Sequence, residues 1–144
     1  MRLSGLSEPQ RRSVFACLRV LEDRLDQMEA WLRRAGQTRP GSQWVDDIGA
    51  ERRQNLLDLV GQAREQVDAA FDELGHPPEA ISVFHRCQAS LGLNWEDSLD
   101  LRGTRLRNYG PVSEDLGEDL DTLAERLAGV FQHMRQAMGD LQHP

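Results

Sequence analysis

The residues able to do chemistry in this 144-residue chain are few. It holds four histidines, two cysteines, 24 acids and 17 bases, and every base is an arginine. The absence of lysine removes Schiff-base chemistry, a lysine general base and the P-loop lysine together. A carboxylate-bridged metal pair in a helical bundle needs Glu-x-x-His on facing helices. A single Glu-x-x-His occurs, Glu73 to His76, so the facing pair is incomplete, and Asp140/His143 has the spacing with Asp in place of Glu. His85 and Cys87 are two residues apart, so on a helix they point about 200° apart and cannot share a metal. The C-x-x-C pattern of structural zinc and the C-x-x-C-H pattern of haem attachment are both missing.

Nucleophilic catalysis finds no better footing. There is no G-x-S-x-G turn and no glycine-rich phosphate loop. Cys17 and Cys87 fall within helical patterns, which predicts small buried thiols in a reducing compartment. His85, beside Ile81 and Phe84, reads as an edge-facing histidine rather than a base. The acids Glu114, Asp115, Glu118, Asp119 and Asp121 sit where a helix N-terminus favours negative charge, which accounts for them without a cation site. The expectation is a protein that is not an enzyme and needs no metal or cofactor.

The net charge of −7 disfavours generic coating of nucleic acid and adsorption to anionic membranes. The N-terminus lacks the apolar core of a secretory signal, and no apolar run approaches the length of a membrane span. Arginine in place of lysine, with abundant Ala, Gly, Leu and Asp, fits coding in a GC-rich bacterial genome. A cytoplasmic location is therefore expected.

These side chains must be positioned by helices. Leucine occurs 20 times while Val, Ile and Thr together give 13, a thin supply for a sheet, and no segment alternates with period two. The sequence predicts an all-α single domain, residues 1–144, folded as an up-down four-helix bundle. Residues 1–6 form a flexible N-terminus, and loops fall at 36–46, 75–78 and 110–112.

The first helix opens on the capping-box pair Ser7 and Gln10 and carries Val14, Leu18, Leu21, Leu25, Met28 and Leu32 at alternating steps of 4 and 3. Phe15, Cys17 and Trp31 widen that stripe. The second, capped by Asp46 or Asp47, carries Leu56, Val60, Ala63, Val67, Ala70 and Leu74 and stops at Gly75-His76-Pro77-Pro78. The third starts near Glu79 and is expected to break near Gly92-Asn94 before resuming toward Tyr109, with Gly103 weakening the second piece. The last runs from Ser113 through Leu116, Leu120, Leu123, Leu127, Val130, Met134, Ala137 and Leu141.

An up-down path would bring the first loop and the segment before the last helix to one end. That end would collect Arg33, Arg34, Arg39, Arg52, Arg53, Arg102, Arg105 and Arg107, with Trp31, Trp44 and Tyr109 beside them. Arginine forks suit carboxylate and phosphate, and aromatic neighbours add stacking or anchoring. The competing reading is internal neutralisation by Asp46, Asp47 and Glu51 in one stretch and by Glu96, Asp97, Asp100, Glu114 and Asp115 in the other. Trp44 either folds back to cap the bundle end or stands out as an anchor.

The expectation is a non-catalytic helical protein-interaction module: an adaptor, assembly factor or regulatory subunit bound to a partner protein. Homodimerisation through a helix face fits the same features. The alternative is a binder of an anionic small molecule or nucleic acid at the arginine-rich end, through Arg33, Arg34, Arg39, Trp44, Arg52, Arg53, Arg102, Arg105, Arg107 and Tyr109.

Overall fold

The computed structural model describes residues 3–142, with side chains through 139. The Asp140/His143 pair and the Leu141 seam position lie outside the described residues or side chains. The chain is all-α but for one small β-ladder, and it divides into two compact units, residues 1–78 and 79–144.

The first unit is a helical hairpin of α1 (Glu8–Arg34) and α2 (Ala50–Leu74). Helix α1 starts as its sequence dictates: Ser7 accepts from the Gln10 backbone N–H, and the Gln10 side chain accepts from the Ser7 N–H, closing the capping box. Pro9 in the first turn lacks only an N–H that had no helical partner. Arg33 and Arg34 occupy the last turn, where cations meet the negative dipole end, and Gly36 at φ 83° turns the chain away.

Residues 36–46 are more ordered than a plain loop. Strands β1 (Thr38–Arg39) and β2 (Ser42–Gln43) pair antiparallel, with Thr38 opposite Gln43. Two bonds extend the ladder: Gly36 N–H to the Trp44 carbonyl at 2.7 Å and Trp44 N–H to the Gln37 carbonyl at 2.9 Å. Helix α2 begins later than Asp46 or Asp47 would place it. Its N-cap is Gly49, at φ 92°, with no side-chain cap. Asp46 works from outside the helix, accepting from the Gly49 N–H at 3.1 Å and pairing with Arg53 in the first turn. Gly75 ends α2 in the left-handed conformation at φ 66°.

The helices run antiparallel, since Phe15 meets Phe71 edge-on at 5.5 Å while Arg64 reaches Asp26 at 2.7 Å and Glu29. His76 stacks on Phe15 with ring centroids 4.3 Å apart and closes the other end. The expected free N-terminus includes a 3-10 turn at Leu3–Gly5, packed against α2.

The second unit holds α3 (Val83–Leu99), α4 (Gly103–Leu106), a 3-10 turn at Arg107–Tyr109 and α5 (Glu114–Gln142). Two expectations are corrected here. Helix α3 starts after Ser82, whose hydroxyl accepts from the His85 N–H at 3.1 Å, a better cap than Glu79 offers. It then runs unbroken through Gly92 and Asn94. A glycine inside a helix costs only about 1 kcal/mol, and the turns on either side pack on α5, with Leu91 and Asn94 half-buried and Ser98 buried. The break falls instead at Asp100–Arg102, just before Gly103. There the backbones come close: a Cβ on Gly103 would lie 2.9 Å from the Gly117 Cα. Gly103 also donates its N–H to Asp121 Oδ1 at 3.1 Å. This close approach, rather than loop flexibility, is the reason for glycine.

Few of the described residues are buried. Leu32, Val60 and Leu74 are buried in the first unit, and Ser98, Gly103, Gly117 and Ala124 in the second. A pair of helices packed along one seam gives each helix a single covered stripe.

Candidate interaction surfaces

The arginine set divides between the two units. In the first, three of the five are engaged internally. Arg33 pairs with Glu29 at 2.9 Å, Arg34 stacks over the Trp44 ring at 5.2 Å, and Arg53 pairs with Asp46. Arg39 on β1 and Arg52 in the first turn of α2 are exposed, with no ion-pair partner among the described residues. In the second, Arg105 lies 3.5 Å from Asp100, whereas Arg102 caps α4 and Arg107 opens the 3-10 turn, both exposed. Internal ion pairing therefore takes three of the eight, and the Trp44 ring takes Arg34. Of the acids expected to do it, Asp46 and Asp100 take part.

The aromatic residues separate as well. Trp44 is half-buried beneath the Arg34 guanidinium, folded back on its own loop. Trp31 is 49% exposed and Tyr109 is 91% exposed.

Ion pairs across the first hairpin were not readable from the sequence. Glu29 accepts from Arg33 on its own helix and receives Arg64 from α2. The Arg33 hydrogen bond holds the Glu29 carboxyl below the usual carboxylate range; partial desolvation opposes this, and the nearby Arg64 charge adds to it. Among the described residues no three His, Cys, Asp or Glu side chains gather to hold a metal. No helix there is long and apolar enough to cross a membrane. Both cysteines are exposed, contrary to the expected burial: Cys87 lies at an open groove beside Met134 and Met138 of α5, and Cys17 lies on the side of α1 turned away from α2.

That uncovered side is the main surface feature of the first unit. Helix α1 carries two stripes about 100° apart. One, formed by Phe15, Leu18, Leu25 and Leu32, packs on α2. The other, formed by Cys17, Leu21, Met28 and Trp31, is exposed. Helical phase brings the exposed Leu59 of α2 to the same side of the hairpin. The sequence merged both stripes into one seam, because steps of 4 and 3 describe the pair equally well.

In the second unit, α5 repeats the arrangement. Leu120, Ala124, Leu127 and Phe131 face α3, while Leu116, Leu123, Val130 and Met134 are each 44–51% exposed. An open groove of about 210 Å³ runs between α3 and α5, lined by Gln88, Leu91, Trp95, Phe131, Gln132 and Arg135. Glu96 lines it too, so the groove holds one acid and one base, Glu96 and Arg135, beside amides and apolar side chains. Comparison with protein-family models, curated proteins and solved structures finds no match to this chain.

Proposed function

We propose that the chain is a non-catalytic helical protein-interaction module, an adaptor, assembly factor or regulatory subunit that grips its partner through the α1–α2 hairpin. The observation that carries the reading is the second apolar stripe of α1, with Leu21, Met28 and Trp31 exposed on the side where Leu59 of α2 emerges. Contiguous apolar surface of this kind costs free energy in water and is recovered on docking. Trp31 is the anchor, since a large rigid ring buries much area with little entropy loss. Arg24 stands within the stripe between Leu21 and Met28, so the fitting surface is apolar with a carboxylate at that level. The two free cysteines and the net acidity suit a reducing, cytoplasmic setting.

The test is site-specific photocrosslinking from position 28 in the source cells. One dominant adduct to another protein, lost when Leu21→Asp is added, is the expected result. An adduct pattern unchanged by Leu21→Asp, or no adduct, overturns the reading.

A further inference from the structure

The exposed side of α5 points to a specific occupant. Leu116, Leu123 and Val130 repeat at intervals of seven, and Leu120 and Leu127 border them on the α3 side. A strict seven-residue apolar repeat is the signature of helix-on-helix packing along a seam. Along the outer edge of this stripe, away from α3, a second set repeats at the same interval: Asp119, Arg126 and His133. Neither Asp119 nor Arg126 has an ion-pair partner among the described residues. An acid and a base one heptad apart on the same edge are complementary to themselves when the helix is reversed.

We propose that a second copy of this chain covers the face, with α5 packed antiparallel on α5 about a twofold axis near Thr122. In this register Leu116 meets Leu127 of the second copy and Leu120 meets Leu123 of the second copy. Symmetry repeats both layers, giving four leucine layers. The same register sets Asp119 of each chain beside Arg126 of the other, two ion pairs at the rim. Sliding by one heptad toward the C-terminus would oppose Arg126 to Arg126. Parallel pairing would turn each charged edge away from its counterpart. Only the leucine-layer register satisfies the apolar repeat and the charges together.

The grooves beside the stripe enlarge the surface to be covered. One is lined by Asn94, Ser98, Leu101 and Leu127, the other by Cys87, Leu91, Met134 and Met138. The pairing uses the second unit and does not depend on what binds α1–α2.

Sedimentation equilibrium of the full chain tests it. The wild type is expected to be a dimer at micromolar concentration. Leu123→Asp should weaken it by roughly a hundredfold or more with unchanged helical circular dichroism, because this side chain is half exposed. Asp119→Arg and Arg126→Asp should each weaken it by about tenfold, and the double exchange Asp119→Arg/Arg126→Asp should restore it. These edge substitutions keep the test open should Leu123→Asp fail to fold. A chain that stays monomeric at several hundred micromolar overturns the proposal. So does a dimer indifferent to Leu123→Asp, or a double exchange that fails to recover affinity. Crosslinking from position 28 reads the α1–α2 hairpin separately, so either result can fail without the other.

Discussion

The two units solve the same problem, two long amphipathic helices in water, by different means. The α1–α2 hairpin is tied by side chains that reach across it: Arg64 to Asp26 and Glu29 at mid-length, and the Phe15, Phe71 and His76 rings at one end. The α3–α5 unit is tied by backbone proximity, where Gly103 sits on Gly117 and its N–H reaches Asp121. A side-chain tie can be weakened by degrees, since its members are partly solvated and adjustable. A glycine contact has no such latitude, because its tolerance is set by the absence of one carbon.

That contrast can be attacked at its strongest point first. Leu74 is 1% exposed, the most buried side chain of the first unit. Leu74→Ala should destabilise by about 2–5 kcal/mol, the usual range for a large-to-small change in a core. Urea unfolding reads the loss, and amide exchange should quicken through α1 and α2 first. Equal quickening in α3 and α5 would erase the distinction between the units.

Gly103→Ala comes next. Its methyl group would lie 2.9 Å from the Gly117 Cα, which is backbone and cannot rotate away. The expected cost is about 1–3 kcal/mol, the range for overpacking, even though alanine is the better helix former. Exchange should quicken at residues 100–121. A neutral or stabilising result would mean that the close approach is not a tie.

The smallest effect tests the side-chain ties. The Glu29 carboxyl is held below its ordinary value chiefly by Arg33, so its ionised form is favoured in the folded chain. The stabilisation is present above the ordinary carboxylate range and is lost as pH falls through the depressed folded value. Glu29→Gln should therefore be less stable than wild type at pH 7, with the gap closing in acid and narrowing in high salt. A gap independent of pH would assign Glu29 a packing role instead.

Much of the fold was legible because it is written locally. Ser7 and Gln10, Gly36, Gly75 and Ser113 mark helix ends through contacts a few residues away, and the structure uses each as read. Local rules misplaced boundaries where a competitor stood nearby. Asp46 is a good cap by type, but its carboxylate is committed to Gly49 and Arg53. Gly92 breaks helices by propensity, yet the packing of its neighbours outweighs about 1 kcal/mol.

Candidate surfaces were harder to read, since they depend on which of two overlapping stripes is covered. Val14, Leu18, Leu21 and Leu25 form one continuous pattern in sequence, while in space Leu18 and Leu25 face α2 and Leu21 does not. Arg34 and Trp44 were both singled out, but their stacking on each other follows from the β-ladder between them.

That β-ladder also bears on the order of events as the chain folds. Closing a helical hairpin through a slack connection sacrifices chain entropy before any interhelical contact compensates. Here the connection carries its own hydrogen bonds between residues 36 and 44, all between near neighbours in sequence. Such short-range structure forms within microseconds, so the chain reversal is in place before α1 and α2 have to find each other. The path from Leu99 to Glu114 has no comparable ladder and relies on α4 docking against α5. Docking of the α1–α2 pair should therefore precede that of α3 on α5, making the turn at Pro40-Gly41 the kinetic starting point of the N-terminal unit.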